Sequence, residues 1–392
     1  MKVIFWHDIN SIHHAPLIES LAKNSGVEVH LVANGDIGSR TENGWGVPEI
    51  LPAIFHERSQ TDPISLLNKV HIDRESISIF SNPHQDVYHK KLWKYCRHKR
   101  YAYGFQQARP GKHSTYLGRI MRHWYYRFNA VPRTKGVNII LCNGTECVNW
   151  LLSVGYPRRK LLPWGYFPDV LSCSEDSSDA DVSSLNNSPF RFIYIGRVIE
   201  LKRVEWIIDA LADLVNEGKN VSLTIVGDGD FSQRVDEQGV KQLGSSYTRT
   251  SFVPHKDIGK YLRLADCLVL ASRSDEWGAV INEAILCGVP SICSSACNAK
   301  DLLSTGSGIV FNSARKSSLR AAMRTFVSDR DAYENAINEC LNFQRHISPA
   351  AAAQLLEESL VNSLHGKPLP EVPWAQTKAA LKQKHDHLNI GA

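Results

Sequence analysis

Short apolar runs alternate with helical patterns along both halves of the 392-residue chain. The runs of the first half are KVIFW, VEVHLVA, SISIF, RYAYGF and VNIILC, and those of the second are RFIYIG, VSLTIVG, TSFV, CLVLAS, PSICSS and GIVF. Continuous apolar runs of this length are typical of strands buried on both faces, as in parallel sheets covered by helices. The pattern therefore predicts an α/β fold with two Rossmann-like, doubly wound domains that face each other across a cleft.

A polar segment separates the two halves. Residues 172–189 are rich in Ser, Asp and Asn and end in a proline, as linkers commonly do. We predict an N-terminal domain at 1–170, a linker at 171–189 and a second domain at 190–346. The tail at 347–392 is predicted to be helical and to cross back to the N-terminal domain. Functional motifs should follow strands, since ligands of such folds bind at the carboxyl ends of the sheet.

Composition indicates a globular protein, with 43% hydrophobic and 22% charged residues. No apolar run approaches the roughly 18 residues of a membrane span, and MKVIFWHDIN is interpreted as a first strand rather than a signal peptide. Nine cysteines without a CxxC pair favour reduced thiols. These features together predict a cytoplasmic protein.

Positive charge is concentrated in one segment, which we call the basic block. From Val87 to Thr145 there are thirteen Lys and Arg residues, no Asp or Glu, and many interleaved aromatic residues. Such a block suggests an anionic partner, either a membrane surface or a nucleic acid. A solvated basic face with aromatic residues in the core is the alternative.

The first chemical motif is YIGRVIELKR, which follows the first apolar run of the second half. Gly196 opens a turn after the predicted strand, and Arg197 and Lys202 lie before the next helical pattern. Cations at the mouth of a parallel sheet, next to a helix N-terminus, are typical of a diphosphate site. Two solvated basic residues in a loop are the alternative.

A second motif, TIVGDGDF, is a poor dinucleotide fingerprint because Ser232 stands where the third glycine is expected. Asp228 and Asp230 form a DxD pattern, but a divalent cation needs several more oxygen ligands than the neighbouring sequence supplies. We therefore favour a tight turn that leads into the next helix, and we predict no metal site.

The third motif joins the apolar run CLVLAS to SRSDEWGAVINEA. Gly278 permits close backbone approach, and the amides of residues 278–280 can bind phosphate oxygens at the start of a helix. Glu283 lies one turn into this apolar helix, where burial of its carboxylate is costly without hydrogen-bonding partners such as sugar hydroxyls. Asp275, at the loop tip, is a further candidate for binding sugar hydroxyls.

Together, GRVIELKR, IVGDG, ADCLVLAS, DEWGAVINEA and CGVPSICS resemble the donor half of the family 4 retaining glycosyltransferases, which have the GT-B fold. The resemblance implies that Arg197 and Lys202 hold a nucleotide diphosphate. It also implies that Asp275 and Glu283, separated by seven residues, are the family's acidic pair and that the second acid binds the ribose. The donor-binding residues implied are Gly196, Arg197, Lys202, Gly227, Val253, Glu276, Trp277, Gly278, Ala279, Val280 and Glu283.

The sequence departs from the family pattern at several positions. Asp275 replaces the usual Glu and Glu276 occupies the common proline position, so either carboxylate could contact the donor sugar. HDINSIHHAP replaces the glycine-rich first loop, and the histidine after the fourth strand is matched only loosely by His84. Either His84 or one of the histidines at 13 and 14 is expected at the reacting centre. Our catalytic candidates are Asp275, His84 and His14.

The resemblance implies transfer of a sugar from a nucleotide-diphosphate donor to an acceptor hydroxyl, with retention and without a metal or other cofactor. Expected partners are a saccharide or lipid-linked saccharide acceptor and an anionic membrane surface that binds the basic block, with no nucleic acid. We expect a role in cell-envelope polysaccharide or glycolipid synthesis, in the cytoplasm or peripherally on the inner face of the membrane. The alternatives are a nucleotide-sugar epimerase, an oxidoreductase and a non-catalytic glycan-binding protein.

Overall fold

The computed structural model of the protein describes residues 1–35, 48, 50–71, 74–81, 87–109, 115–169 and 188–375. The described residues divide into two compact units. The first unit contains those of 1–168 together with 349–375, and the second contains 169 and 188–348.

The first unit is built on a seven-stranded parallel sheet. Its strands are β1 (Lys2–Ile9), β2 (Glu28–Asn34), β3 (Ile54–Glu57), β4 (Ser76–Ser81), β5 (Ala102–Gln107), β6 (Ile139–Asn143) and β7 (Leu161–Trp164). Their spatial order is β3-β2-β1-β4-β5-β6-β7. The order reverses between β1 and β4, which is where doubly wound folds bind ligands.

Six helices accompany this sheet: α1 (Ala15–Ala22), α2 (Pro63–Val70), α3 (Val87–Lys99), α4 (Tyr116–Tyr125), α5 (Gly144–Ser153) and the late α12 (Pro349–Leu364). A π-helical turn, Tyr126–Ala130, continues α4. Helix α12 packs against α1, and the Asn24 amide donates a hydrogen bond of 2.8 Å to Glu357. The Trp374 side chain, which follows α12, is buried against Trp164 and Phe167.

The second unit contains a six-stranded parallel sheet in the order β10-β9-β8-β11-β12-β13. Its strands are β8 (Phe190–Ile195), β9 (Val221–Val226), β10 (Tyr247–Thr250), β11 (Cys267–Leu270), β12 (Ser291–Ser294) and β13 (Gly308–Phe311). Its helices are α6 (Val204–Asn216), α7 (Ser232–Leu243), α8 (Ile258–Arg263), α9 (Ala279–Leu286), α10 (Lys316–Ser328) and α11 (Arg330–Ile347). The strand order reverses between β8 and β11.

Both sheets bury their central strands as the apolar runs predict. Five consecutive residues of β1 are buried, and so are all four residues of β11 and of β12. Short polar side chains cap several helices: Asp62 accepts a hydrogen bond from the Ser65 amide at the start of α2, and Asp329 accepts one from Ala332 at α11. The predicted α/β fold of two parallel, doubly wound sheets is thus confirmed.

The predicted strands differ from the structure at the sheet edges. None of the residues of β3 is buried, so no apolar run indicates it. Strand β7 has no counterpart among the apolar runs, and its Pro163 is tolerated at an edge. The run TSFV predicts a strand at 250–253, but the edge strand β10 ends at Thr250, because its pairing with β9 stops where β9 ends at Val226. Val253 lies in the following loop.

Candidate functional site

The candidate donor site lies at the carboxyl edge of the second unit's sheet. The loops that follow β8, β9, β10 and β11 carry the residues that the sequence singled out. Strands β8 and β11 are neighbours at the point where the strand order reverses. Because a crevice opens at this point in doubly wound sheets, it is the expected ligand position.

Two glycine turns bring the backbone of neighbouring loops together. Gly196 and Gly227 have φ values of +148° and +142°, and a Cβ atom on Gly227 would lie 1.9 Å from the Gly196 carbonyl oxygen. The Val198 amide donates to the Asp228 carbonyl at 2.8 Å, which joins the two turns. Glycine is required at both positions because larger residues would be strained and would separate the loops.

The two cations of the β8–α6 loop have different environments. Lys202 Nζ lies 2.5 Å from Asp275 Oδ2, and both side chains are only 15% exposed. Arg197 is exposed, and its guanidinium forms no salt bridge within the described part of the chain. The structure therefore brings together two predicted site residues, Lys202 and Asp275, as an ion pair, and leaves Arg197 available to an anion.

The loop between β11 and α9 is fixed by the segment after β12. Asp275 pairs with Cys297 in an isolated parallel bridge, and the Asn298 side-chain amide donates to the Glu276 carbonyl at 2.8 Å. The Glu276 side chain is exposed. Trp277 is buried, and its indole N–H donates to Asn282 at 2.8 Å, so its ring packs in the core of this unit rather than at a surface.

Helix α9 begins next to this loop and presents backbone amides. Gly278 precedes the helix with φ of +99°, and a Cβ atom there would lie 2.7 Å from Cys297 Sγ. In the described residues, no hydrogen bond is formed by the amides of Gly278, Ala279 and Val280. Such amides, together with the helix dipole, favour a bound anion.

Glu283 is buried and has a partner that the sequence did not reveal. His255, in the loop after β10, places Nε2 3.0 Å from Glu283 Oε1. Burial alone would lower the pKa of His255, but the hydrogen bond and the charge of Glu283 outweigh burial and raise it. A charged His255 offsets the free-energy cost of burying the Glu283 carboxylate. Val253 lies two residues before His255 in the same loop and is partly exposed.

The DxD pattern forms a turn, as predicted. Asp228 Oδ1 accepts a hydrogen bond of 2.8 Å from the Gly229 amide and another from the Ser232 hydroxyl at the start of α7. Ser251 donates to its second oxygen at 3.1 Å. The bonds from Ser232 and Gly229 lower the pKa of Asp228. Among the described residues, no group of three His, Cys, Asp or Glu side chains is arranged to hold a metal ion.

The carboxyl edge of the first unit's sheet carries a histidine cluster. His14, at the start of α1, lies with its ring centroid 4.6 Å from that of His7 and 4.9 Å from that of Tyr166. His14 Nε2 is 3.3 Å from Gln106 Nε2 at the end of β5. His7 is 4% exposed, and in the described part of the chain neither of its ring nitrogens has a hydrogen-bond partner. His84 lies outside the described residues.

Burial keeps these imidazoles neutral. It lowers the pKa of His7 to about 3, with a smaller contribution from His89. Burial also lowers the pKa of His14 well below its usual value, helped by His7 and His13. Neutral imidazoles can donate or accept hydrogen bonds, so the cluster can bind uncharged hydroxyl groups. The sequence does not single out His7, which follows the apolar run KVIFW directly and is buried within β1.

The part of the chain that carries this donor site matches a known family. Residues 176–341, which we call the group 1 domain, match the family model of glycosyl transferases group 1. This domain contains Arg197, Lys202, Asp275 and Glu283, together with His255.

Curated relatives of the domain are matched over part of their length. Alpha-D-kanosaminyltransferase of Streptomyces kanamyceticus is 29% identical over 144 residues, which are 36% of this chain and 37% of the relative. A GDP-mannose-dependent alpha-(1-6)-phosphatidylinositol dimannoside mannosyltransferase of Mycobacterium tuberculosis is 26% identical over 137 residues, 35% of each chain. The chain thus spans only about a third of the length of these relatives.

Similarity to solved structures extends over most of the chain. HepE of Anabaena, in a complex with UDP, aligns with a TM-score of 0.66 and 15% identity, covering 92% of this chain and 100% of the other. At this identity the alignment establishes the fold alone.

Proposed function

We propose that the protein is a glycosyltransferase that moves a sugar from a nucleotide-diphosphate donor to an acceptor hydroxyl, with retention of configuration. The observation that carries the proposal is the combination at one sheet edge of an exposed Arg197, the Lys202–Asp275 pair and the unbonded amides at the start of α9. A diphosphate satisfies the charge of the first two groups and the hydrogen bonds of the third.

The ion pair of Lys202 and Asp275 allows the lysine to exchange the carboxylate for a bound diphosphate. Without a donor, the Asp275 carboxylate neutralises the ammonium at 2.5 Å. A bound diphosphate competes for the ammonium and frees the carboxylate for sugar hydroxyls. In transfer, the bond between the anomeric carbon and the diphosphate oxygen breaks, and the acceptor oxygen bonds to the same carbon. Negative charge develops on the diphosphate, which takes up the proton of the acceptor hydroxyl. Arg197, Lys202 and the α9 amides stabilise this charge, which is the role that a metal ion has in other enzymes.

Glu283 is the proposed ribose ligand, with His255 as its support. The Oε1 atom of Glu283 is occupied by His255 at 3.0 Å, and the carboxylate retains capacity to accept hydroxyl donors. The acceptor is proposed to be a saccharide or lipid-linked saccharide in cell-envelope polysaccharide or glycolipid synthesis. The M. tuberculosis relative, named as acting on a phosphatidylinositol dimannoside, supports a lipid-linked acceptor.

Nucleotide binding tests the proposal directly. A thermal-shift screen of nucleoside diphosphates and nucleotide sugars should identify at least one ligand that raises the Tm, because binding to the native state stabilises it. Arg197→Ala should reduce the shift, and Lys241→Ala, an exposed cation at the far end of α7, should leave it unchanged. Equal shifts in both variants would contradict the site.

The class of reaction needs a separate measurement. Incubation of the identified donor with candidate acceptors should give a product whose anomeric configuration, read by NMR, is that of the donor, and transfer should persist in excess EDTA. Epimerised nucleotide sugar formed without an acceptor would favour the epimerase alternative. Loss of transfer in EDTA with rescue by manganese would contradict the metal-independent mechanism.

A further inference from the structure

Helix α4 and the π-helical turn after it expose an unusual amount of apolar surface. Exposed fractions are 64% for Leu117, 65% for Met121, 52% for Trp124 and 65% for Phe128. None of the ten residues of α4 is buried. An isolated helix of this length is marginal in water, and most helices in proteins gain their stability by packing an apolar face.

The exposed apolar residues form one continuous stripe. Leu117, Ile120, Met121, Trp124 and Phe128 recur at the helical spacing that places side chains on one face. The rings of Trp124 and Phe128 stack with centroids 5.3 Å apart. In a globular protein such a stripe normally faces the core, and when it faces solvent it marks an interaction surface.

Charge indicates which partner this surface fits. The stripe lies in the basic block, where Arg119, Arg122 and Arg127 are exposed and no acidic residue occurs from Val87 to Thr145. Arg119 and Arg122 also line a pocket of about 440 Å³ next to α4, together with Trp124 and Trp150. Among the described residues, neither of these two arginines forms a salt bridge. A helix whose apolar stripe includes a tryptophan and whose polar face carries cations is typical of helices that lie in the interface of an anionic bilayer.

We propose that α4 and the turn Tyr126–Ala130 dock the protein on an anionic membrane, with the stripe inserted among the acyl chains and Arg119 and Arg122 at the lipid phosphates. The docking element is thus narrower than the basic block as a whole. The other tryptophan that the block offers, Trp93, is buried in the core of the first unit and has no part in it. No helix in the described part of the chain is long and apolar enough to span a bilayer.

Vesicle co-sedimentation tests this surface without any donor or acceptor, so its outcome is independent of the proposed activity. The protein should sediment with vesicles of phosphatidylcholine and phosphatidylglycerol, and less with phosphatidylcholine alone. The variant Leu117→Ser/Met121→Ser should reduce partition by about tenfold or more, since two inserted side chains are lost. A matched control is Val240→Ser/Leu264→Ser, which changes two equally exposed apolar residues of the second unit.

Three further measurements distinguish membrane insertion from misfolding and from self-association. Fluorescence of the wild type should be quenched by brominated lipids, and Trp124→Phe should remove most of that quenching. Circular dichroism should show that the α4 variant is folded. Unchanged partition in the α4 variant, or no binding of the wild type to anionic vesicles, overturns the proposal. A dimer in light scattering that the α4 variant dissociates, without vesicle binding, assigns the stripe to a second copy instead.

Discussion

The buried polar side chains at the carboxyl edges of the two sheets differ in charge. In the second unit, Lys202 is paired with Asp275 at 2.5 Å, and His255 with Glu283 at 3.0 Å, so charges are retained and satisfied. In the first unit, among the described residues, His7 and His14 lie together without an acidic partner at either ring, and burial lowers the pKa of both. The first solution suits recognition of an anion, and the second suits recognition of neutral hydroxyl groups.

This contrast fits a division of labour in the proposed function. A nucleotide diphosphate carries charge, whereas the group of the acceptor that reacts is an uncharged hydroxyl. Charged pairs lose little free energy when they exchange one ionic partner for another, whereas neutral imidazoles form hydrogen bonds with uncharged hydroxyl groups. If this contrast is functional, substitutions at the two edges should have different effects on ligand affinity and on the pH dependence of stability.

The largest effect is expected at Lys202. Charge-assisted hydrogen bonds are worth about 1.5–3 kcal/mol, so Lys202→Ala and Arg197→Ala should each weaken nucleoside-diphosphate binding by roughly tenfold to a hundredfold in calorimetry. Lys202→Ala should also lower the Tm, because it leaves the 15%-exposed Asp275 without its cation. Arg197→Ala should leave the Tm unchanged.

A double variant controls for that second effect. Lys202→Ala/Asp275→Ala removes both charges and should recover part of the lost Tm but none of the lost affinity. Wild-type affinity in both single variants would mean that the second unit's cations are structural and that the contrast between the edges is not functional.

The fold was largely predictable, because apolar runs of four to seven residues are a direct record of strands buried on both faces. Strands β3 and β10 were missed or misplaced because none of their residues is buried, so their position depends on pairing with the neighbouring strand. The residues around Arg197, Lys202 and Asp275 were predictable because glycines and charges follow strands at fixed spacing.

The partners within the site were not predictable. His255 reaches Glu283 from a different loop, 28 residues away in sequence, and only the tertiary structure determines that contact. His7 follows the apolar run KVIFW and is buried in β1 like the residues of that run, so the sequence does not distinguish it from a core residue. Trp277 was expected near the donor, but Asn282, one helical turn further on, receives its indole N–H in the core. Periodicity reveals the stripe on α4, but not that the stripe faces solvent.

The neutral imidazole of His7 should make the free energy of unfolding fall as the pH is lowered. Burial lowers the pKa of His7 to about 3 in the folded protein, against an ordinary value of 6.5. Between these two values His7 binds a proton only in the unfolded chain, so it lowers the free energy of unfolding. Linkage of about 1.4 kcal/mol per pH unit predicts a cost of about 2 kcal/mol at about pH 5. His7→Leu should therefore lose less unfolding free energy than the wild type between about pH 7.5 and pH 5 in urea titrations. The exposed His98→Leu serves as the control, and identical losses in wild type and His7→Leu would show that His7 is protonated in the fold.

Substitution of Glu283 should weaken binding of ligands that contain a ribose more than binding of pyrophosphate, which has none. Glu283→Gln keeps the shape and one acceptor oxygen but loses the charge, so affinity for a nucleoside diphosphate should fall by about tenfold, or about 1.4 kcal/mol. Affinity for inorganic pyrophosphate should change much less. Glu237→Gln, which alters an exposed carboxylate of α7, is the matched control. Equal losses for both ligands would indicate that Glu283 only holds His255 and the loop after β10.

The smallest effect is expected at His255. Its contribution to stability should decrease as the pH rises, whereas the cost of burying neutral His7 grows as the pH falls. Burial opposes the charge of His255, but the hydrogen bond and charge of Glu283 prevail and raise the pKa. A raised pKa contributes stability that is complete below the ordinary value of 6.5 and is lost as the pH rises through the folded-state pKa. One net hydrogen bond is worth about 1 kcal/mol, or about 2–4 °C in Tm. His255→Gln should therefore lower the Tm more at about pH 6 than at about pH 9. A deficit in Tm that grows as the pH rises would mean that His255 is neutral beside Glu283, and the two sheet edges would then differ in their carboxylates alone.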